Sequence, residues 1–152
     1  MSFVFQPSIL QNLGLDATLL AKGITTATNP SGCQYLLRPL RSTDYGRFEE
    51  LASLPSTYFI VVLEYLPLRK LIGCATLLVE LKMIHGCSKD VVIDEAYRNK
   101  GLGRLLVSVL IEVGRSQGCY KISLDCDSDK VTFYERNGFK QETVSMCIRL
   151  SH

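Results

Sequence analysis

At Gly101 the chain switches hydrophobic period, and nothing else in the sequence limits the possible folds so tightly. Before it lies a short apolar strand core, Asp90-Val91-Val92-Ile93, followed by the polar stretch Asp94 to Lys100. After it, Leu102, Leu105, Leu106, Val109, Leu110 and Val113 recur at the spacing of a single helical face. The stripe ends near Gly118, which suits a helix C-terminus. A strand, a glycine turn and a long amphipathic helix form a unit that needs a sheet to bury the stripe.

The flanking segments supply that sheet. Tyr58 to Glu64 is a β-branched and aromatic run that reads as a buried strand, and Leu71 to Glu80 reads as its hairpin partner across Leu66 to Lys70. Tyr35 to Arg38 predicts a short strand ending at Pro39. Ser42-Thr43-Asp44 predicts the N-cap of a helix through Phe48, Leu51 and Leu54, stopped by Pro55. Beyond the long helix, Tyr120 to Asp125 alternates like a strand. Ser128 suits the cap of a short helix carrying Phe133 and Tyr134, Asn137-Gly138 its closing turn, and Val144 to Leu150 a last strand. Residues 1–34 show no clear period and read as an extended or weakly helical arm, which leaves 35–152 as the main domain. The expected class is mixed α/β, with a mostly antiparallel central sheet flanked by helices.

Composition excludes several functions. Lys and Arg total 17 against 15 Asp and Glu, a net charge of +2, too little to point to nucleic acid or an anionic membrane. Six cysteines stand at 33, 74, 87, 119, 126 and 147 without a C-x-x-C pair, beside two histidines. No metal site is expected from them, and small buried hydrophobes in a reducing compartment are the simpler reading. The start, MSFVFQPSIL, lacks a basic n-region, and no apolar run approaches a membrane span. Cytoplasm is therefore the default compartment, with an organelle left open.

Three groups of residues carry chemistry. Arg98-Asn99-Lys100-Gly101-Leu102-Gly103-Arg104 joins a strand to a helix. Its glycines allow close backbone approach, and the helix start favours an anion, so the segment can cradle a pyrophosphate. A helix start with glycines serving only the turn would read the same way. No Gly-Lys-Ser/Thr follows and no third glycine is present, so the segment is neither a P-loop nor a dinucleotide fingerprint. Asp125 at a strand end and Tyr134 in the next helix could act on an amine and a leaving thiolate; a strand-end cap and a half-core ring are the alternatives. Lys82, Lys121 and Arg149, with His85, could meet a phosphate, although solvated surface charge is the usual fate of such residues.

Together these residues resemble the GNAT superfamily. Arg98-x-x-Gly101-x-Gly103 resembles its acetyl-CoA motif, usually written Q/R-x-x-G-x-G/A. The stretches Gly118-Cys119-Tyr120-Lys121-Ile122-Ser123-Leu124-Asp125-Cys126 and Val131-Thr132-Phe133-Tyr134-Glu135-Arg136-Asn137-Gly138-Phe139 are similar to the eukaryotic glucosamine-6-phosphate N-acetyltransferases. Arg38-Pro39-Leu40, Lys82-Met83-Ile84-His85 and Met146-Cys147-Ile148-Arg149 match other segments of that group.

The resemblance implies the acyl-CoA N-acyltransferase fold. It also implies acetyl transfer from acetyl-CoA, as cosubstrate, to the amine of glucosamine 6-phosphate, on the way to UDP-N-acetylglucosamine. Val91, Val92 and Ile93 would pair with the pantetheine arm, and Arg98 to Arg104 would hold the pyrophosphate. Asp125 would contact the amine and Tyr134 would protonate the thiolate. Lys82, His85, Asp90, Tyr120 and Lys121 would line the sugar-phosphate site. Arg149 would reach the phosphate of a neighbouring subunit in a homodimer. The chain departs from this group in two places. The long loop and second helix after Leu54 are essentially absent, and Lys89 directly precedes Asp90 without several intervening residues. Two rival readings are a GNAT enzyme for another amine, such as a lysine side chain or a polyamine, and a non-catalytic acyl-CoA-binding module.

Overall fold

In the computed structural model, residues 2–26, 32–54, 56–80, 86–142 and 148 are described. The expected hairpin forms its centre. Strands β3 (Tyr58–Tyr65) and β4 (Lys70–Glu80) pair antiparallel, with Val62 opposite Cys74. They are joined through a short 3-10 turn, Leu66–Leu68. Positions 59–64 of β3 are all buried, as a strand covered on both faces requires. On one side β2 (Tyr35–Pro39) pairs antiparallel with β3, and β1 (Ile24–Thr25) lies parallel to β2. On the other side β5 (Gly86–Ile93) pairs antiparallel with β4, and β6 (Ile122–Ser123) lies parallel to β5. The described strands therefore form one six-stranded sheet in chain order, antiparallel at its centre and parallel at both edges.

The parallel pair β5 and β6 needs a crossover, which is the long helix α4 (Leu102–Ser116). All six stripe residues from Leu102 to Val113 are buried, and Val107 and Gly114 widen the buried face. Two glycines set how closely the helix rides on the sheet. A Cβ on Gly114 would stand 2.7 Å from Ile122, and one on Gly73 would stand 2.6 Å from Ile93.

Residues before β1 are more ordered than the sequence suggests. Helices α1 (Ser8–Gln11) and α2 (Asp16–Leu20) contribute Leu10 and Leu19 to the same hydrophobic core as Val4, Phe5 and Ile24. Helix α3 (Phe48–Ala52) is shorter than expected and has no side-chain cap. Asp44 instead takes two hydrogen bonds from Arg38, at 2.6 and 3.0 Å, and one from the Arg41 amide at 2.7 Å. The chain passes from α3 to β3 through a turn in which Thr57 N–H donates to the Leu54 carbonyl at 3.2 Å, with no intervening helix. Helix α5 (Val131–Glu135) follows a 3-10 turn, Ser128–Lys130, and Ser128 caps neither. The expected strand 120–125 shrinks to two residues, because only Ile122 and Ser123 find a partner in β5. Cys33 is a partly buried free thiol and Cys126 an exposed one, whereas Cys119 is in a disulfide, which departs from the reading of most of the six as small buried hydrophobes in a reducing compartment. The expected last strand, 144–150, lies largely outside the described residues.

Candidate functional site

Strand β5 pairs with β6 only at Cys87–Ile122 and Ser88–Ser123. From Lys89 to Ile93 no described strand lies on that edge. The phase of the ladder then decides which peptide groups are free. Asp94 N–H donates to the Ile72 carbonyl at 2.8 Å, so Asp94–Ile72 and Val92–Cys74 are the pairs bonded across to β4. Val91 and Ile93 consequently turn their N–H and C=O groups toward the open edge. The Ile93 carbonyl is occupied by Arg98, whose Nε donates to it at 3.0 Å. Of the three strand residues expected at the cofactor, Val91 keeps both backbone groups and Ile93 its N–H without a partner among the described residues, while Val92 spends its own on β4 and exposes its side chain.

The segment after β5 folds back on a 3-10 turn, Glu95–Tyr97, capped by Asp94, whose carboxylate accepts from the Ala96 amide at 3.0 Å. The same carboxylate accepts from Lys70 at 2.7 Å, and these bonds hold it below its ordinary pKa. Asn99 and Gly101 both adopt positive φ, at 62° and 73°, and carry the chain into α4. Among the described residues, the six successive amide N–H groups from Asn99 to Arg104 have no acceptor. Backbone donors in series without acceptors at a helix start are the chemistry a pyrophosphate needs, so this loop fits the cofactor suggested by the sequence. Its side chains fit less uniformly. Arg98 is engaged with Ile93 and, at 3.4 Å, with Glu95, while Lys100 lies 5.2 Å from the centre of the Tyr97 ring. The Arg104 guanidinium has no partner among the described residues, while its carbonyl accepts from the Ser108 hydroxyl at 3.2 Å.

A second group gathers on the other side of β6. Tyr120, Lys121, Asp125 and Tyr134 line one groove of about 800 Å³, together with Cys126 and Asn137. Asp125 is exposed. Tyr134 is half-buried, its ring edge-on to Phe133 at 5.0 Å and to Phe139 at 6.0 Å. Asn137 fixes the end of α5 by donating to the Phe133 carbonyl at 2.7 Å. Lys121 donates to Glu142 at 2.7 Å, a hydrogen bond that raises the lysine pKa and lowers that of the glutamate. The cofactor-side and groove-side groups meet at Gly103, where a Cβ would stand 3.6 Å from Phe133. Helix α5 is thus seated against the start of α4, beside the cradle. Asp90 belongs to β5, opposite Thr76, and Lys82, His85 and Arg149 lie outside the described residues. The sequence reading missed two features here: the Arg98–Ile93 clasp and the contact of Phe133 with Gly103. Neither has a sequence signal, since both depend on how the loop and α5 return.

Residues 25–139 match the acetyltransferase (GNAT) family. The chain is 39% identical over 109 residues to glucosamine 6-phosphate N-acetyltransferase 1 of Dictyostelium discoideum, covering 68% of this chain and 69% of that protein. It is 31% identical over 166 aligned positions to a probable glucosamine 6-phosphate N-acetyltransferase of Drosophila melanogaster, covering 91% and 76%. That aligned length exceeds the 152 residues of this chain, so the relative carries residues that this chain lacks. Among solved structures, glucosamine-6-phosphate N-acetyltransferase from Arabidopsis thaliana shares the fold, with a TM-score of 0.67 at 24% identity over 97% of this chain and 95% of that one. With the free edge of β5, the cradle at α4 and these matches in agreement, the chain belongs to the acetyltransferase (GNAT) family, which uses acetyl-CoA.

Proposed function

We propose that this protein transfers the acetyl group of acetyl-CoA to the amine of glucosamine 6-phosphate. The observation that carries the transfer chemistry is the edge of β5 left open by the described strands, followed after a short 3-10 turn by six successive amides without an acceptor among the described residues. The substrate assignment rests on the similarity to enzymes acting on that sugar phosphate in several eukaryotes. Bound acetyl-CoA supplies an activated thioester. The residues of this chain do the rest. Asn99 to Arg104 hold the pyrophosphate by backbone donors, and Arg98 positions that loop by clasping the end of β5.

The free N–H groups of Val91 and Ile93 are the available donors for the carbonyl oxygen as it gains charge, a contribution worth roughly 3 kcal/mol in comparable sites. The amine nitrogen bonds to the acetyl carbon as the carbon–sulfur bond breaks; Asp125 orients the amine and takes the proton it sheds, and Tyr134 gives its phenol proton to the departing sulfur. Tyr120 and Lys121 border the sugar phosphate, and Lys121 must exchange Glu142 for it. Lys82, His85 and Asp90 complete that site, and Arg149 serves it from a second copy in a homodimer. No described helix is long and apolar enough to cross a membrane, and we place the reaction in the cytoplasm.

Thiol release from acetyl-CoA tests the assignment, with glucosamine 6-phosphate, glucosamine, glucose 6-phosphate and a lysine peptide as acceptors. Release with glucosamine 6-phosphate alone is expected. Release only with the peptide would keep the fold and overturn the substrate. Tight CoA binding without release to any acceptor would make the protein a binding module.

A further inference from the structure

We propose that Lys22 is a phosphate-binding residue for acyl-CoA, delivered from the segment that precedes the family-matched region. This rests on reading the start of α4 as the acyl-CoA cradle. The family match begins at residue 25, so Lys22 stands outside it. Yet the lysine reaches the cradle itself: a Cβ placed on Gly101 would lie 3.0 Å from Lys22 Nζ and 3.9 Å from its Cε.

The backbone of Lys22 is held firmly enough to aim the side chain. Its N–H donates to the Leu19 carbonyl at 3.0 Å, and the next amide donates to the Leu20 carbonyl at 2.9 Å. Leu19 before it is 2% exposed, and Ile24 after it is fully buried and paired into the sheet. The turn is therefore pinned on both sides, and only the lysine stem extends over the loop.

Electrostatics give the placement a purpose. The N-terminus of a helix carries partial positive charge and repels a nearby ammonium. Lys22 has no carboxylate partner among the described residues, and neither do Lys100 and Arg104 of the same loop. The neighbouring acids are committed elsewhere, Asp94 to Lys70 and Glu95 to Arg98. Three cations without a carboxylate partner among the described residues thus accompany a row of amides without an acceptor, a setting that suits an anion with several charges. A phosphate ester group of acyl-CoA fits that setting.

Calorimetric titration of the full chain with CoA and with phosphate-free pantetheine tests the proposal, for the wild type and for Lys22→Ala and Lys22→Arg. One charge-assisted contact at an exposed site predicts a Kd for CoA about fivefold higher in Lys22→Ala. Lys22→Arg should restore most of the loss, pantetheine should bind all three proteins alike, and the CoA difference should shrink as salt is raised. A Lys22→Ala protein with a CoA Kd within about twofold of the wild type would overturn the role of Lys22 while leaving the cradle standing. Equal weakening for CoA and pantetheine would assign Lys22 a structural role instead. A wild type that fails to bind CoA would overturn the cradle reading, and Lys22 with it.

Discussion

Tyr134 shows what a single residue contributes and how that can be measured. Its ring is wedged between Phe133 and Phe139 on the short helix α5, and Tyr134→Phe keeps that ring packing. Removing only the hydroxyl should therefore leave the helix and the cofactor cradle in place. With Tyr134→Phe, we expect turnover to fall by about a hundredfold, the usual scale for a lost general acid, with little change in the KM for acetyl-CoA. A loss confined to turnover marks an interaction made in the transition state. Unchanged turnover in a stopped thiol-release assay would remove Tyr134 from the proton inventory. A parallel rise in KM would recast it as a binding residue.

At the scale of elements, the unit formed by β5, the loop and α4 places the site and supplies much of the core. Leu106 lies at the centre of the α4 stripe with no exposed surface, against a sheet that Gly73 and Gly114 let approach closely. Leu106→Ala should cost about 3 kcal/mol in chemical denaturation, and a cost below about 1 kcal/mol would mean the helix rides loosely. This unit was legible in the sequence because a long helix on a sheet leaves a periodic apolar record, and all six stripe residues were read from it. The weaker elements were not. Tyr120 to Asp125 alternates like a strand, yet only two residues pair, because alternation describes a chain's preference and not whether a neighbouring edge is within reach. Ser42-Thr43-Asp44 reads as an N-cap cluster, but the Asp44 carboxylate goes to Arg38, because a bidentate guanidinium competes better for a carboxylate than a helix amide does. In the site, the glycines and Tyr134 were readable from spacing and resemblance. The assignment of free edge groups to Val91 and Ile93, and not to Val92, needed the phase of the β4–β5 ladder.

At the scale of the whole molecule, the segments before α4 are tied to the sheet by one buried ionic cluster. Arg38 on β2 bonds Glu64 on β3 at 2.9 Å and grips Asp44 ahead of α3 with both terminal nitrogens. Arg38 and Glu64 are 5% and 9% exposed, so neither has water to fall back on, and loss of a partner leaves a buried charge unmatched. Burial alone would raise the Asp44 carboxyl, but the hydrogen bonds from Arg38 and the Arg41 amide, with both guanidinium charges, hold it below its ordinary value of 3.8. A carboxyl whose pKa is lower in the folded state stabilises the fold above its unfolded pKa and loses that contribution as pH falls through the folded value. Asp44→Asn should therefore cost about 2–3 kcal/mol at neutral pH. The gap to the wild type should stay flat down to about pH 5 and close as the solution is acidified further, because the wild type then protonates the same group. Denaturant midpoints measured across that range would check it. A gap that persists unchanged into strong acid would show that Asp44 works through shape and neutral hydrogen bonds, and that its charge does not fasten β2 to the chain before α3.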